Sequence, residues 1–136
     1  MLVVDASVLA VALLDDGANG DALRARLRGE DLAAPSIIDL EVLSVWRGLA
    51  RSGPLDARRA ALAVDDLRVL PLQRVDPTVL IERCWELREN LTVYDASYVA
   101  LAEAMQAALI TGDRRIARAP GPLCSIELVT TQPTSR

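Results

Sequence analysis

The chain has 136 residues, 51% of them hydrophobic, and a net charge of −4 at neutral pH. This length fits one domain with a core of ordinary size, and no apolar run is long enough to span a membrane. Histidine is absent and all 15 basic residues are arginine, which excludes a histidine general base, a zinc site with histidine ligands and chemistry that needs a lysine. The first residues lack the features of a signal peptide, so we expect a cytoplasmic protein.

Short apolar runs alternate with segments of helical periodicity along the chain. This alternation predicts an α/β fold with a central, mainly parallel sheet of about five strands flanked by helices. The strands are predicted at residues 2–4, 32–34, 69–72, 108–111 and 125–129. We expect one domain over residues 1–129, followed by a polar tail, 130–136, that frays.

Apolar spacing predicts the buried faces of three helices between the second and fourth strands. These faces are Ile38, Val42, Val45 and Leu49; then Ala57, Ala60, Val64 and Leu67; then Leu80, Cys84, Leu87 and Leu91. Ser36 is the predicted N-cap of the first helix, with Asp39 completing a capping box. Asp76 and Pro77 predict the start of the third helix, and the segment 52–54 (Ser-Gly-Pro) predicts a turn between the first two.

Four acidic residues lie on or beside apolar elements, where hydrophobic or small residues are usual. They are Asp5, Glu41, Asp95 and Asp113. Asp5 ends the first strand and Asp113 follows the fourth, and ligands of open parallel sheets bind at the carboxyl ends of the strands. Carboxylates gathered by the fold at such an edge are ligands for a hard cation such as Mg²⁺ or Mn²⁺.

Three of these acids also have a structural explanation. Asp5 or the neighbouring Ser7 could cap the following helix, Asp95 could be the third residue of a helix capped by Thr92, and Asp113 could cap a short helix. Local sequence leaves these alternatives open.

Glu41 has no such capping role, because it borders the apolar stripe of its helix. Burial of an unpaired carboxylate costs several kcal/mol or raises its pKa, so we expect either a cation or an arginine beside it. Arg47, Arg114 and Arg115 are candidate contacts for nucleic-acid phosphates, although solvated helix faces explain them equally well. Trp46 and the apolar helix faces near it are the candidate surface for a dimer.

Four segments, VVDASV, PSIIDLEVLSVWRG, VYDASYVALAEAM and LITGDRRIA, occur in an order and spacing that resembles the PIN-domain ribonucleases of the VapC type. These are the toxins of type II toxin–antitoxin pairs, and the resemblance covers about residues 1–129. It implies an α/β/α sandwich, a Mg²⁺- or Mn²⁺-dependent endoribonuclease, a homodimer, and a cognate antitoxin that blocks the site. The positions that match the family's acidic, catalytic metal site are Asp5, Glu41, Asp95 and Asp113, and the neighbouring hydroxyl positions are Ser7 and Thr111.

Without histidine, we predict RNA hydrolysis by water that leaves 5′-phosphate and 3′-hydroxyl ends. One alternative is a non-catalytic scaffold of the same fold that binds RNA or a partner. An aspartate-based phosphatase and a phosphoacceptor switch are less favoured, since both need a lysine that the chain lacks.

Overall fold

The computed structural model describes residues 1–53 and 55–130. Within these residues, the strands are Leu2–Val4 (β1), Leu32–Pro35 (β2), Leu72–Val75 (β3), Ala108–Thr111 (β4) and Ile126–Leu128 (β5). The helices are Ala6–Leu14 (α1), Ala18–Leu27 (α2), Ile38–Arg51 (α3), Ala57–Val69 (α4), Ile81–Glu86 (α5), Val93–Met105 (α6) and Arg114–Arg118 (α7). Pro54 of the predicted turn, and the predicted tail beyond Thr130, lie outside the described residues.

The five strands form one parallel sheet in the order β3-β2-β1-β4-β5. The chain builds outward from β1 through β2 to β3, and then crosses to the other side of β1 to form β4 and β5. The strand order therefore reverses between β1 and β4, which pair in register from Leu2 opposite Ala108. The crevice beyond the carboxyl ends of two such strands is the usual ligand site of an open α/β sheet.

The three inner strands are buried and the sheet lies between helices. All residues of β1 and β2 are buried, as expected for parallel strands that are covered on both faces. Helix α6 packs against β1, β2 and β4, whereas α1 packs against α2, α3 and α4. The predicted α/β/α sandwich is confirmed. None of the helices in residues 1–53 and 55–130 combines the length and apolar character needed to cross a membrane.

The third strand was predicted too early in the chain. The apolar run at 69–72 predicted a strand, but α4 continues to Val69, which is exposed, and β3 occupies Leu72–Val75. Pro71 cannot extend the helix, so the chain becomes extended only after it. Because β3 lies at the edge of the sheet, it can carry the polar residues Gln73 and Arg74. These residues break the apolar pattern from which a buried strand is predicted.

The start and the buried face of α3 also differ from the prediction. Its N-cap is Ile37 rather than Ser36, and no side chain caps it. Asp39 forms no capping box and instead pairs with Arg74 of β3, with 2.7 Å between Asp39 Oδ2 and Arg74 Nε.

The buried residues of α3 are Ile38, Val42 and Trp46, while Val45 and Leu49 are exposed. Trp46 is 3% exposed, and its indole N–H donates to the carbonyl of Ala10 at 3.1 Å. It therefore belongs to the core, and its assignment to a dimer surface was wrong.

The other two predicted helical faces are partly confirmed. In α4, Leu67 is buried but Ala57 is exposed. The third helix divides into a 3-10 helix, Pro77–Leu80, and the short α5, with Asp76 as N-cap as predicted. Its apolar residues Leu80, Leu87 and Leu91 are all buried.

Candidate active site

Asp5 lies at the point where the strand order reverses. It follows β1 directly, and its backbone N–H donates to the carbonyl of Ile110 in β4 at 3.0 Å. The residue is 6% exposed. Its backbone occupies the N-cap position of α1, but its carboxylate makes no capping hydrogen bond. The capping explanation therefore does not account for this side chain.

The Asp5 carboxylate is held by two hydroxyl groups that reach the same oxygen. Oδ2 accepts from Ser7 Oγ at 2.9 Å and from Thr111 Oγ1 at 2.6 Å. In the described part of the chain, no hydrogen bond reaches Oδ1. The two hydroxyls thus fix the orientation of the carboxylate and leave one oxygen free for a ligand.

Each hydroxyl is itself oriented by a backbone N–H of the loop after β4. Gly112 N–H donates to Ser7 Oγ at 3.1 Å, and Asp113 N–H donates to Thr111 Oγ1 at 3.0 Å. Two parallel hydrogen-bond chains therefore run from this loop to Asp5. Such chains polarise their members and fix each donor in one direction. This arrangement explains why hydroxyl residues occupy these two positions.

Glu41 of α3 is partly buried and makes its hydrogen bond with Tyr98 of α6. The Tyr98 hydroxyl donates to Glu41 Oε1 at 2.5 Å. Burial raises the pKa of the Glu41 carboxyl above its usual value, the Tyr98 bond opposes this shift, and the charges of Asp5 and Asp95 add to it. Neither an arginine nor another cation compensates Glu41 in the described residues, so the expected arginine partner is not there.

Tyr98 was not identified from the sequence as a residue of the site. Its place within a fully buried stretch of α6 favoured a core role, and its partner lies 57 residues earlier in the chain. Burial, and then the bond to Glu41, raise the pKa of Tyr98 far above its usual value. The phenol thus remains protonated and acts as a donor. The signal available in the sequence was that Tyr98 lies in the same predicted helix as Asp95, a candidate site residue.

Asp95 lies at the third position of α6, where the sequence placed it. Its backbone N–H donates to Thr92 Oγ1 at 3.1 Å, so Thr92 caps the helix as predicted. Burial raises the pKa of the Asp95 carboxyl; the Thr92 side chain and Arg115 lower it, and the charges of Asp5 and Asp113 raise it further. The capping bond therefore explains why threonine occupies position 92. The charged form of the Asp95 carboxylate is still disfavoured by the charges of Asp5 and Asp113.

Asp113 differs from the other acids because it has a cationic partner. It caps α7 by accepting the backbone N–H of Arg115 at 2.9 Å, and the Arg115 guanidinium lies 3.0 Å from its Oδ2. The hydrogen bond from the Arg115 side chain lowers the pKa of Asp113, against the effect of burial. The predicted capping role of Asp113 is confirmed, and Arg115 contacts the Asp113 carboxylate in addition to solvent.

We call Asp5, Glu41, Asp95 and Asp113 the site acids. The charges of Asp5 and Asp95 act on Glu41, and those of Asp5 and Asp113 act on Asp95, so each acid lies in electrostatic reach of at least one other. Across residues 1–53 and 55–130, however, no three acidic, histidine or cysteine side chains converge as a ready-made metal site. Each acid is instead held by its own hydrogen bonds.

This arrangement fits a hydrated divalent cation. Mg²⁺ keeps several of its waters and takes only one or two direct carboxylates, so convergence of three ligands is not required. Carboxylate oxygens are its preferred donors. The free oxygen of Asp5 would contact such an ion, and Glu41, Asp95 and Asp113 are the acids that would hold its waters. Arg47 and Arg114 are exposed, and no hydrogen bond in the described chain ties them to the site acids.

Comparison with known proteins identifies the family. The PIN domain model matches residues 2–122. The chain belongs to the PIN-domain family. It is 42% identical over 129 residues to VapC ribonuclease Mb0985 of Mycobacterium bovis, covering 95% of this chain and 98% of that protein. It is also 42% identical to Ribonuclease VapC1 of Mycobacterium tuberculosis, with 93% and 96% covered. These relatives place the chain in the VapC-type branch and confirm the resemblance that its motifs indicated.

Solved structures support the same fold. PAE2754 from Pyrobaculum aerophilum superposes with a TM-score of 0.65 at 23% identity, over 90% of this chain and 87% of that one. VapBC2 from Rickettsia felis, in a complex with a promoter DNA fragment, gives a TM-score of 0.62 at 15% identity, over 93% and 97%. At such low identity these structures support the architecture alone.

Proposed function

We propose that this VapC-type protein is an endoribonuclease toxin that depends on Mg²⁺ or Mn²⁺ held by Asp5, Glu41, Asp95 and Asp113. The observation that carries the proposal is the free oxygen of Asp5 at the β1–β4 crevice, where the charge of Asp5 acts on Glu41 and Asp95 and that of Asp113 acts on Asp95. The 42% identity to curated VapC ribonucleases supports RNA as the substrate. The residues themselves give the reason for the metal, because the site has little other cationic charge to offset four acids and a phosphate.

The chain's own residues have distinct tasks in this reaction. A bound divalent cation supplies a water of lowered pKa and offsets charge on the phosphodiester. Asp5, which Ser7 and Thr111 hold in place, would hold this ion through its free carboxylate oxygen. Glu41, Asp95 and Asp113 accept hydrogen bonds from water in the crevice and orient it. The absence of histidine favours attack by water over cyclisation through the 2′-hydroxyl.

Arg115 is the basic residue best placed to meet the substrate phosphate. It lies beside Asp113 and its side chain is 86% exposed, so it can reach RNA while remaining near the site. Arg47 and Arg114, which are exposed and make no hydrogen bond to the site acids within the described residues, remain candidate phosphate contacts. Arginine suits this task because its planar guanidinium binds phosphate in a bidentate manner.

Cleavage of total RNA tests the activity. Purified protein free of any antitoxin is incubated with RNA and Mg²⁺ or Mn²⁺, beside an Asp95→Asn variant and a chelator control, and the new ends are sequenced. We expect discrete cuts with 5′-phosphate and 3′-hydroxyl ends that disappear in both controls. Cuts that persist with chelator would refute metal dependence, and 2′,3′-cyclic phosphate ends would refute attack by water. No cuts in any lane would favour the non-catalytic scaffold.

A cognate antitoxin is the proposed inhibitor, and a groove beside Glu41 is its proposed seat. Ile37, Leu40 and Ser44 of the α3 region border this groove together with Glu41, and Leu40 is 71% exposed. A peptide segment in this groove would cover an apolar surface and a site acid at once. Leu40→Arg should leave cleavage intact and weaken inhibition by the antitoxin. Inhibition that is unchanged by Leu40→Arg would show that the antitoxin binds at another surface.

A homodimer is the proposed assembly. Helix α3 leaves Val45 and Leu49 exposed one turn apart on one face, beside the buried Trp46. Exposed apolar patches of this kind mark association surfaces. We expect sedimentation equilibrium to give a dimer mass for the wild type and a monomer mass for Val45→Glu. A dimer that survives this change would exclude the α3 face as the interface.

A further inference from the structure

The contact between Tyr98 and Glu41 joins two helices that each carry a site acid. Tyr98 lies three residues after Asp95, so α6 supplies one site acid directly and contacts a second through Tyr98. The Tyr98 side chain is completely buried, whereas Glu41 is partly exposed on α3, where the charges of Asp5 and Asp95 act on it. The donor is thus fixed by the core, and the acceptor is a longer side chain that faces the site.

Glu41 depends on this single contact for its orientation. In the described chain, the Tyr98 hydroxyl is the one hydrogen-bond donor that reaches the Glu41 carboxylate. A glutamate side chain has three rotatable bonds, and no arginine among residues 1–53 and 55–130 restrains this one. The bond is made to Oε1, and in the same residues no hydrogen bond reaches Oε2. The pattern matches that of Asp5, where hydroxyl donors occupy one oxygen and leave the other free.

Satisfaction of a buried phenol is the simpler explanation of this bond. A buried tyrosine hydroxyl needs a hydrogen-bond partner, and a backbone carbonyl would serve without cost. Here the acceptor is instead a carboxylate on another helix, whose side chain also lines a surface groove. Stability alone does not favour placing a third carboxylate near Asp5 and Asp95. The use of a carboxylate as the acceptor therefore indicates that this bond serves the site rather than the packing of the core.

We propose that Tyr98 is a positioning residue, which holds the Glu41 carboxylate in the orientation that receives a hydrated divalent cation. This inference rests on the proposed function, since it assigns Tyr98 to the same metal site. It predicts that the Tyr98 hydroxyl contributes to metal affinity although it does not touch the metal. Hydrogen bonds that orient a metal ligand typically contribute about 10-fold to 100-fold in affinity or activity.

Tyr98→Phe removes one oxygen atom from the core and tests the proposal directly. Tyr94→Phe is the matched control, because Tyr94 is the other tyrosine of the chain and lines the groove beside Glu41, yet its exposed hydroxyl makes no hydrogen bond to a site acid within the described residues. Mn²⁺ binding is measured by the electron paramagnetic resonance signal of the free ion, with circular dichroism to verify folding. We expect Tyr98→Phe to weaken Mn²⁺ binding by about 10-fold or more and Tyr94→Phe to leave it unchanged. Equal affinity in wild type and Tyr98→Phe would overturn the proposal.

Kinetics and a second variant separate positioning from a general loss of structure. In RNA cleavage, kcat should fall in Tyr98→Phe while KM for RNA stays within about twofold, since the hydroxyl does not touch RNA. A double-mutant cycle with Glu41→Gln should show that Tyr98→Phe adds no further loss once the carboxylate is gone. Independent, additive losses would mean that Tyr98 does not act through Glu41.

An NMR measurement keeps the proposal testable if Tyr98→Phe does not fold. In Tyr94→Phe protein labelled with ¹³C at tyrosine Cζ, Tyr98 is the one remaining tyrosine signal. Titration with Mg²⁺ should shift this signal, and Glu41→Gln should abolish the shift. A Tyr98 signal that does not shift when Mg²⁺ is added would refute the proposal. If wild-type protein binds no Mn²⁺ at all, the proposed metal-dependent function fails first, and this result is distinct from a failure of the Tyr98 assignment.

Discussion

The carboxylates of this protein are held in two different ways. Asp39, Glu103 and Glu127 each accept two hydrogen bonds from one arginine, with 2.7 Å to its Nε in every case. We call them the arginine-paired acids. Asp5 and Glu41 accept instead from neutral hydroxyls. The first group ties distant elements together, and the second lies at the crevice where the strand order reverses.

The difference in donors decides where negative charge is left uncompensated. Burial alone would raise the pKa of Glu103, but hydrogen bonds from Arg83 and the Leu123 backbone reverse the shift and lower it. Burial also raises the pKa of Glu41 and Asp95, and neighbouring acids add to this rise. A hydroxyl orients a carboxylate without neutralising it. We therefore propose that Asp5, Glu41 and Asp95 retain an affinity for a cation, whereas an arginine already compensates each of the arginine-paired acids.

Activity gives the largest expected contrast between the two groups. Asp5→Asn keeps an oxygen that can accept from Ser7 and Thr111, but it loses the negative charge offered to the metal. We expect RNA cleavage to fall by at least about 100-fold, because even residues that only orient a ligand contribute up to this factor. Glu103→Gln is the matched change outside the site, and initial rates should stay within about twofold of wild type. Similar losses of RNA cleavage in both variants would contradict the distinction between the site acids and the arginine-paired acids.

Stability should change in opposite directions in the two groups. Glu103 accepts hydrogen bonds from Arg83 and from Leu123 N–H, and its side chain is 14% exposed. Glu103→Gln should lower the free energy of unfolding by about 1–3 kcal/mol. Glu41→Gln should raise it in metal-free protein, since burial and the nearby acids disfavour the charged form. Urea unfolding in the presence of a chelator measures both changes, and a loss of stability in Glu41→Gln would contradict the account.

The pH dependence of these two changes has opposite signs. Folding lowers the pKa of Glu103, so its stabilisation is complete above the unfolded value of about 4.3 and is lost as pH falls through the folded value. Folding raises the pKa of Glu41, so its penalty exists above the folded value and is relieved as pH falls towards the unfolded one. Urea unfolding from pH 7 to pH 3 should bring both variants closer to wild type, Glu103→Gln from below and Glu41→Gln from above. A Glu41→Gln difference that is independent of pH would refute the electrostatic explanation.

Asp113 sharpens the comparison because it is the site acid with an arginine partner. Arg115→Gln should free its carboxylate and tighten Mn²⁺ binding without RNA by about twofold, a small effect because the pair is exposed. Arg118→Gln, on the same short helix, is the control. Weaker Mn²⁺ binding in Arg115→Gln would show that Arg115 supports the metal site rather than competing with it.

Local sequence predicted most of the elements but few of the contacts between them. The inner strands and the caps at Asp76, Thr92 and Asp113 were predicted correctly, because each follows from neighbouring residues. The edge strand was misplaced because its polar residues lack the apolar pattern of a buried strand.

The partners of individual acids depend on tertiary structure. Asp39 was separated correctly from Glu41 as a structural residue, yet its partner is Arg74, 35 residues away, rather than a helix cap. Tyr98 was missed for the same reason, since its contact with Glu41 spans two helices. The sequence placed acids near one edge of the sheet, but it contains no local signal for the donors that orient them.

Mn²⁺ binding at Asp5 is the most direct test of the central claim that hydroxyl-held acids receive a cation and arginine-paired acids do not. Wild type, Asp5→Asn and Glu103→Gln are titrated in parallel, with free Mn²⁺ followed by electron paramagnetic resonance. The account predicts that wild type and Glu103→Gln bind alike and that Asp5→Asn loses the site. Binding that survives in Asp5→Asn at wild-type strength would contradict it.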